Sequence, residues 1–285
     1  MSILVTGASG RVGAEVAKGL IAAGIEVRAL SRTRPADAVT SAIRYFQGDL
    51  REPASLLPAL ESVSSVFLYA QGERPSELAQ LLAGAGVQRV VLLSTIDATN
   101  QRPYAQYNRR RHLAFEQAIS DAGLEFTFLR PGAFASNARR FWGDAISKEQ
   151  AVPLPYPEAE QAPIDECDIA RVALGALLSS DWIGQALVLT GPESLTQREQ
   201  VQLLSQALDK PLAIRVEERK AAHARLAQAI PLPYVELLLA QWADEVGERA
   251  TLSDAVERVT GRPPTRFADW AKRNVVFFQS VAGEP

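Results

Sequence analysis

Three glycines close to the amino terminus have the spacing that lets a backbone bind a diphosphate. They stand in the segment Thr6-Gly7-Ala8-Ser9-Gly10-Arg11-Val12-Gly13, directly after a short apolar run. Gly7 permits a tight strand-to-helix turn, Gly10 lets a pyrophosphate approach the backbone, and Gly13 lets the helix lie against the sheet. The N–H groups and the positive end of the helix then attract phosphates. The segment predicts a dinucleotide site that contains Thr6, Gly7, Ser9, Gly10, Arg11, Val12 and Gly13.

The residues after the second apolar run favour NADPH over NADH. An NAD-specific site would carry Asp or Glu here to bind the ribose 2′-hydroxyl. This chain has Ser31-Arg32-Thr33-Arg34 instead. The guanidinium of Arg32 or Arg34 offers a planar fork of donors to a 2′-phosphate, and Ser31 adds a hydroxyl. The alternative interpretation is that both arginines are solvated loop charges.

A third segment, Gly48-Asp49-Leu50, follows the third apolar run. Its place in the chain predicts that Asp49 and Leu50 flank the adenine, with the Asp49 carboxylate accepting from the adenine amino group. An Asp at this point also suits the N-cap of a helix. The sequence leaves both roles open for Asp49.

The elements that would position these segments alternate between strand and helix. Short apolar runs, as expected for strands buried on both faces, occur at 3–5, 25–30, 43–46, 65–70, 89–94 and 126–129. Helix-like stretches separate them, such as the one in which Val12, Val16 and Leu20 share a face before Gly24. This alternation predicts an α/β fold with a Rossmann-type, doubly wound parallel sheet.

The pattern changes in the second half of the chain. Four prolines between 152 and 163 indicate a loop or extended segment, and most of the remainder is helical. We expect an NADP-binding Rossmann domain over 1–150 and a smaller, mostly helical substrate cap over 151–285. One more strand, at 186–190, is expected to return to the main sheet.

Composition excludes several classes of protein. The 285 residues are 47% hydrophobic and 22% charged, as in ordinary globular chains. The formal charge of -3 argues against a dedicated partner among nucleic acids or anionic membranes. One Cys and two His cannot assemble a Cys/His zinc cluster, so no metal is expected. The amino terminus lacks signal-peptide character and no apolar run is long enough to span a bilayer, which predicts a cytoplasmic protein.

Motifs spread over nearly the whole chain share one family resemblance. They comprise the TGxxGxxG loop, Arg32, Gly48-Asp49, the stretch 112–116 and the stretch 126–134, with weaker similarity at 168–170, 189–193 and 251–267. Together they resemble the NmrA-like branch of atypical short-chain dehydrogenases/reductases. That branch includes NADPH:quinone-type and triphenylmethane-dye reductases as well as redox-sensing regulators.

The resemblance also implies which residues line the nicotinamide side of the site. They follow the fourth, fifth and sixth predicted strands and are Tyr69, Ala70, Gln71, Gly72, Ser94, Thr95 and the stretch Pro131 to Phe134. These positions lie at carboxyl strand ends, where open α/β sheets bind ligands. Ordinary loop packing is the alternative for each.

A proton donor is harder to identify. Ordinary short-chain dehydrogenases use a Tyr with a Lys four residues on, and the corresponding positions here are Asn108 and His112. Tyr107 and Arg111 have the same i, i+4 spacing, but an Arg cannot exchange protons. His112 is the better catalytic candidate because its unperturbed pKa of about 6.5 suits proton donation. The alternative is a partly buried His bonded to a backbone carbonyl.

Chemistry that needs no Tyr–Lys pair is hydride transfer to a small, hydrophobic, electron-poor acceptor. A quinone, dye, azo compound or activated alkene fits that description, and the protein would supply orientation and a dry cleft. Apolar, mostly aromatic side chains are predicted to form the substrate wall, namely Phe134, Trp142 and Tyr156, together with Phe141, Pro155, Tyr234 and Trp242. Core packing is the alternative for these side chains.

Two other functions remain compatible with the sequence. One is a non-catalytic NADP(H)-binding redox sensor that acts through a protein partner. The other is an isomerase, epimerase or tailoring reductase of a biosynthetic pathway. A monomer and a homodimer agree equally well with the sequence.

Overall fold

Strands and helices alternate along the chain from its first residues onward. The computed structural model describes residues 2–32 and 43–279. Within these ranges the strands are β1 (Ser2–Thr6), β2 (Glu26–Ser31), β3 (Ile43–Gln47), β4 (Val63–Tyr69), β5 (Arg89–Leu93), β6 (Glu125–Pro131), β7 (Val152–Leu154), β8 (Glu160–Gln161), β9 (Gln185–Leu189), β10 (Leu195–Thr196) and β11 (Ile214–Val216).

The α-helices of the same ranges lie between and after these strands. They are α1 (Arg11–Ala22), α2 (Leu57–Leu60), α3 (Pro75–Gly84), α4 (Gln106–Asp121), α5 (Asn137–Ser147), α6 (Glu166–Leu178), α7 (Gln197–Ala207), α8 (Arg219–Leu226), α9 (Leu232–Asp244), α10 (Ala255–Thr260) and α11 (Phe267–Arg273). Short 3-10 helices cover Pro53–Leu56, Ile96–Thr99, Pro103–Ala105 and Val275–Phe277.

The main sheet is parallel and has the strand order β3-β2-β1-β4-β5-β6-β9. The chain runs from β1 outward to β3 and then returns to the other side of β1 as β4. The carboxyl ends of β1 and β4 therefore flank the point where the strand order reverses, which is where open α/β sheets bind ligands. The predicted Rossmann-type, doubly wound sheet is confirmed.

Both faces of this sheet are covered by helices, and consecutive residues of β1 enter different cores. Ile3 and Val5 pack in one apolar cluster with residues of α1 and α6, whereas Leu4 packs in another with residues of α3 and α4. All three are fully buried. A strand buried on both sides needs apolar residues at successive positions, which explains the unbroken Ile-Leu-Val run.

The remaining elements form a smaller, mostly helical part with two apolar clusters of its own. One cluster joins α5, β7, α7 and α11, and the other joins α8 and α9. Two short strand pairs belong to this part, β7 with β11 and β8 with β10. Within the second half of the chain, α6 packs on α1, and β9 pairs with β6 at the edge of the main sheet. The chain therefore passes between the two parts more than once.

Candidate active site

A cleft of about 670 Å³ opens at the carboxyl ends of β1 and β4. Most residues of the glycine segment line it, together with residues that follow β2, β3, β4 and β6. Its lining includes Thr6, Gly7, Ser9, Gly10, Arg11, Val12, Gly13, Ser31, Arg32, Asp49, Leu50, Tyr69, Gln71, Phe134, Asn137, Arg139 and Arg140. The structure thus brings most of the predicted nucleotide-binding residues to one cleft of the size that small-molecule ligands occupy.

The glycine segment has the backbone geometry that a diphosphate site needs. Gly7 has a φ of +62°, a conformation in which a side chain is strained. A Cβ at Gly13 would lie 2.2 Å from the carbonyl oxygen of Gly7, so any larger residue would separate α1 from the loop. Gly10 is the N-cap of α1, and no side chain caps the first turn. The N–H groups of that turn lie at the cleft, where they can bind an anion.

Thr6 supports the loop from inside. Its hydroxyl donates to the Phe67 carbonyl at 3.0 Å and accepts from the Tyr69 N–H at 2.8 Å. Because this fully buried hydroxyl joins the ends of β1 and β4, it positions the loop. The phenol-bearing side chain of Tyr69 is 45% exposed and lines the cleft.

The side of the cleft near β2 and β3 carries the groups predicted to distinguish the nucleotide. Ser31 is buried at the end of β2 and Arg32 is exposed beside it, and both line the cleft. Arg34 lies outside the described residues. Asp49 is held by Arg51, which donates from Nε at 3.1 Å and 3.0 Å and from Nη2 at 2.5 Å. These bonds lower the pKa of Asp49 to about 2, so the group stays ionised.

Asp49 is not the helix N-cap that one sequence alternative expected, and its contact with adenine stays a prediction. Its carboxylate accepts from the backbone N–H of Arg51 at 3.0 Å, and the N-cap of the following 3-10 helix is Glu52. The carboxylate therefore closes a local turn and binds a guanidinium. Leu50 is buried at the cleft next to it.

The residues expected on the nicotinamide side are divided among three surroundings. Tyr69 and Gln71 line the cleft. Gly72 lines a neighbouring cavity, which we call the basic cavity because arginines such as Arg111 line it. Ala70 is buried, and its carbonyl accepts a hydrogen bond from Arg111 Nη2 at 2.5 Å. Ser94 and Pro131 are buried at the ends of β5 and β6 and belong to none of the described cavity linings.

The Ser94 hydroxyl is part of a buried ionic group. It donates to Glu116 Oε1 at 2.6 Å, and Arg130 donates to the same carboxylate from Nε at 3.0 Å and from Nη2 at 2.5 Å. This arrangement connects β5, α4 and β6 below the candidate site. The hydroxyl of Ser94, a residue expected on the nicotinamide side, therefore donates its hydrogen bond to Glu116.

A second cavity, of about 290 Å³, adjoins the cleft, and Arg140 lines both. Residues from α4, α5 and α9 meet here with those of the loop after β5. The lining consists of Asp97, Tyr104, Asn108, Arg140, Phe141, Ile230, Pro231, Tyr234, Leu237, Leu238 and Gln241. Apolar and polar side chains contribute about equally to it, so it can hold a small molecule that also carries polar groups. We call it the acceptor cavity.

Asp97 is the acidic group of the acceptor cavity. It is 9% exposed, and its Oδ2 accepts from Asn108 Nδ2 at 2.9 Å. Burial raises the pKa of Asp97 above its ordinary value, against the opposing hydrogen bond from Asn108. Asn108 stands on α4 one turn before His112. The sequence analysis did not select Asp97, Arg140 or the aliphatic residues of α9. The local signal for Asp97 is its place directly after β5, and for the aliphatic residues it is the apolar character of their helix.

The two predicted proton donors lie in unfavourable surroundings. Burial, with repulsion from Arg111, lowers the pKa of His112 to about 4, and its Nδ1 is buried without a partner among the described residues. The imidazole is therefore neutral near pH 7, which removes the reason for selecting it. Tyr107 is 51% exposed and faces the basic cavity, with its hydroxyl 3.5 Å from that of Tyr234.

The predicted substrate wall needs two corrections. Trp142 is 4% exposed and packs with α7 and α11 in an apolar cluster of the smaller, mostly helical part. It lines none of the described cavities. Tyr156 packs against the α8–α9 cluster and accepts from Arg219 at 3.3 Å. Phe134 lines the cleft, and Phe141 and Tyr234 line the acceptor cavity.

Burial raises the pKa of the Cys167 thiol to about 11, which makes it unreactive.

Residues 2–32 and 43–279 contain neither a membrane-spanning helix nor a cluster of metal-binding side chains. No helix in these ranges has the length and apolar content that crossing a bilayer requires. No group of three or more His, Cys, Asp and Glu side chains in the same ranges is arranged to hold a metal ion.

Comparison with known proteins identifies the class that this fold and cleft define. Residues 7–179 match the NAD(P)H-binding family, and the chain belongs to that family. A (4-alkanoyl-5-oxo-2,5-dihydrofuran-3-yl)methyl phosphate reductase from Streptomyces griseus is 36% identical, over 97% of this chain and 99% of the relative. An NAD(P)H azoreductase from Xenophilus azovorans is 30% identical over 97% of this chain and 99% of its own length.

Among solved structures, the triphenylmethane reductase of Citrobacter sp. complexed with NADP(H) superposes with a TM-score of 0.81. It is 20% identical and covers 96% of this chain and all of its own, so it supports the fold. The predicted class, an NAD(P)H-dependent oxidoreductase, is confirmed by the family match and the two reductase relatives. The predicted NmrA-like resemblance is confirmed in the fold, which a mutant NmrA shares with a TM-score of 0.77 at 19% identity.

Proposed function

We propose that this protein is an NADPH-dependent reductase that transfers hydride to a small, hydrophobic, electron-poor acceptor. The observation that carries the proposal is that one residue, Arg140, lines both the cleft and the acceptor cavity, so that the two are neighbours. The cleft contains a dinucleotide fingerprint, and the acceptor cavity is walled by Phe141, Ile230 and Leu238. A nucleotide and an acceptor held in adjoining cavities can meet without intervening bulk water.

The residues of the cleft fit NADPH. The uncapped first turn of α1 offers N–H groups to a diphosphate, and Arg32 with Ser31 offers donors to a 2′-phosphate. Bound NADPH supplies the hydride. The chain positions both reactants and excludes water, which contributes to the rate by orientation and by strengthening electrostatic interactions in the site.

The acceptor class is inferred from the acceptor cavity and from the relatives. A cavity of about 290 Å³ suits a molecule of modest size, and its lining offers apolar side chains on which an apolar ring could pack. The Streptomyces griseus relative is named for reducing a dihydrofuranone phosphate and the Xenophilus azovorans relative for reducing azo compounds. An activated alkene, an azo compound, a quinone or a cationic dye shares the property of accepting hydride readily.

The reaction is proposed to proceed without a Tyr–Lys pair. The two positions that would carry the pair hold Asn108, which is bonded to Asp97, and the neutral His112. Tyr107 with Arg111 is not a good substitute, because Arg111 donates to the Ala70 carbonyl and Tyr107 is exposed. Any proton that the reduced acceptor needs must come from another group or from water.

Calorimetry and turnover test the proposal together. We expect NADPH to bind more tightly than NADH and to be oxidised steadily in the presence of conjugated alkenes, azo dyes, quinones or cationic triarylmethyl dyes. Tight NADPH binding with no oxidation across that panel would instead support a non-catalytic redox sensor. Absence of binding heat with either nucleotide would contradict both functions.

A further inference from the structure

Asp97 lines the acceptor cavity, and hydride transfer alone gives it no role. It stands in the 3-10 helix Ile96–Thr99 directly after β5, at the carboxyl edge of the sheet. Asn108 Nδ2 donates to its Oδ2 at 2.9 Å, and the other oxygen, Oδ1, has no hydrogen-bond partner among the described residues. The carboxyl group of this lining residue is thus fixed through one oxygen, while the other has no hydrogen bond from the described residues.

Burial favours the neutral form of Asp97, whereas the hydrogen bond from Asn108 opposes it. Tyr104, Tyr234 and Arg140 line the same cavity, and Arg140 is its cationic side chain. Glu245, at the end of α9, is the nearby carboxylate that interacts unfavourably with Asp97, and burial raises the pKa of Glu245 to about 7. Burial likewise raises the pKa of Asp97, so a larger fraction of this group is protonated at a given pH than for an exposed Asp.

We propose that Asp97 is the catalytic acid, which donates its proton to an acceptor whose reduction adds both a hydride and a proton. This inference rests on the proposed function and names its substrate class: activated alkenes and azo compounds. Asn108 is the positioning residue, since it holds Oδ2 and leaves Oδ1 without a partner among the described residues.

The step balances as a net two-electron reduction. Hydride adds to one atom of the double bond and forms a new single bond to hydrogen. The π pair moves to the other atom, which then takes the proton as the O–H bond of Asp97 breaks. NADPH is oxidised to NADP⁺, the acceptor is reduced, and the Asp97 carboxylate regains a proton from water.

Two acceptor types separate a proton donor from a merely structural residue. A conjugated alkene or an azo dye needs a proton after hydride addition. A cationic triarylmethyl dye takes hydride at its central carbon and becomes neutral, so it needs no proton. Loss of a catalytic acid should therefore affect only the first type.

The experiment compares kcat of Asp97→Asn with that of the parent enzyme at saturating NADPH and acceptor. We expect kcat with the alkene or azo dye to fall by about 100-fold or more, the usual contribution of a general acid. With the cationic dye, kcat should stay within about threefold, because the isosteric amide keeps the shape of the cavity. Asp144→Asn is the matched control, since Asp144 is an exposed carboxylate on α5 and both activities should persist.

Two further readouts do not depend on the size of the effect. In the parent, kcat with the alkene should fall as pH rises through the pKa of Asp97, and the dye reaction should lack that limb. Infrared spectra of the enzyme without nucleotide should contain, below the pKa of Asp97, a protonated-carboxyl band that Asp97→Asn removes and that is distinct from the band of Glu245, whose pKa is also raised. The same band should persist in Asp144→Asn.

The outcomes distinguish the inference from the function on which it rests. Equal losses with both acceptor types, or no loss with either, would overturn the acid role while leaving the reductase in place. A parent enzyme that reduces neither acceptor would overturn the reductase proposal, and the acid role with it. Identical protonated-carboxyl bands in the parent and in Asp97→Asn, throughout the pH range in which the parent reduces the alkene, would show that Asp97 is ionised there and would also overturn the acid role.

Discussion

Arg130 and Glu116 form a two-pronged ion pair beneath the candidate site, with Arg130 Nε 3.0 Å from Oε1 and Nη2 2.5 Å from Oε2 of Glu116. The Glu116 side chain is 5% exposed and that of Arg130 is 17% exposed. The pair connects α4 to β6, and Ser94 of the β5 end joins it through its hydroxyl. Its integrity therefore determines how the helix that carries Asn108 and His112 lies on the sheet.

Removing one partner of this pair should destabilise the fold. Glu116→Gln leaves the Arg130 charge buried without its counter-ion, which we expect to lower the free energy of unfolding by about 3 kcal/mol. Urea denaturation of parent and variant measures the difference. Glu125→Gln is the matched control, because Glu125 forms a more exposed pair with Arg89 on neighbouring strands and should change stability by less than about 1 kcal/mol. Equal losses in both variants would contradict the buried character of the first pair.

The contact between Gly13 and Gly7 predicts a second pair of variants. In Gly13→Ala the new Cβ would lie 2.2 Å from the Gly7 carbonyl oxygen, so α1 must move and the diphosphate site is distorted. We expect NADPH affinity to fall by at least about tenfold, that is about 1.4 kcal/mol. Gly84→Ala is the control, since nothing lies within 4 Å of its added Cβ and helix propensity should improve. Calorimetric titration reports both affinities, and undiminished binding by Gly13→Ala would show that the loop does not hold the nucleotide.

Arg32 should determine the preference for the phosphorylated nucleotide. Replacing it with Ala removes a charge-assisted contact to the 2′-phosphate, which should weaken NADPH binding by about 1.5–3 kcal/mol. NADH binding should change little, because NADH lacks that phosphate. Arg74→Ala is the control for loss of a positive charge, since Arg74 is exposed at the basic cavity and pairs with Glu77. NADPH affinity should change little in this variant. NADPH affinity within twofold of the parent in Arg32→Ala would be incompatible with this assignment.

The buried state of His112 predicts a specific pH dependence of stability. Burial lowers its pKa from about 6.5 to about 4 in the folded chain, so the unfolded chain binds more protons between these values. Stability should therefore fall as pH decreases from about 6.5 to about 4, and His112→Gln should remove that contribution. Glu245 contributes with the opposite sign in an overlapping range because its pKa is raised to about 7, so the difference between parent and variant is the quantity to compare. Denaturation curves that depend on pH identically in both proteins would refute the burial argument.

The fold was accessible from the sequence because its signals are local. Each buried strand is a short apolar run, and the glycine spacing identifies the one turn where the backbone must approach a diphosphate. The strand at the sheet edge, β9, was predicted at nearly its observed place even though helices and loops separate it from β6.

The acceptor cavity was less accessible because it depends on which face of each helix points inward. Phe141 and Trp142 are adjacent on α5, about 100° apart around the helix, so one reaches the cavity and the other enters the core. The sequence does not distinguish them. Asp97 is one of 33 acidic residues, and only the packing of α4, α5 and α9 around it distinguishes it from the rest.

The most direct test of the central claim follows the transferred hydrogen itself. NADPH deuterated at nicotinamide C4 is incubated with the enzyme and a conjugated alkene, and the product is examined by mass spectrometry and NMR. The account predicts one deuterium on the carbon that accepts hydride, with the other new hydrogen derived from water and equal amounts of NADPH consumed and product formed. A reduced product without deuterium from either labelled face of C4, or no reduced product at all with any acceptor of the panel, would contradict it.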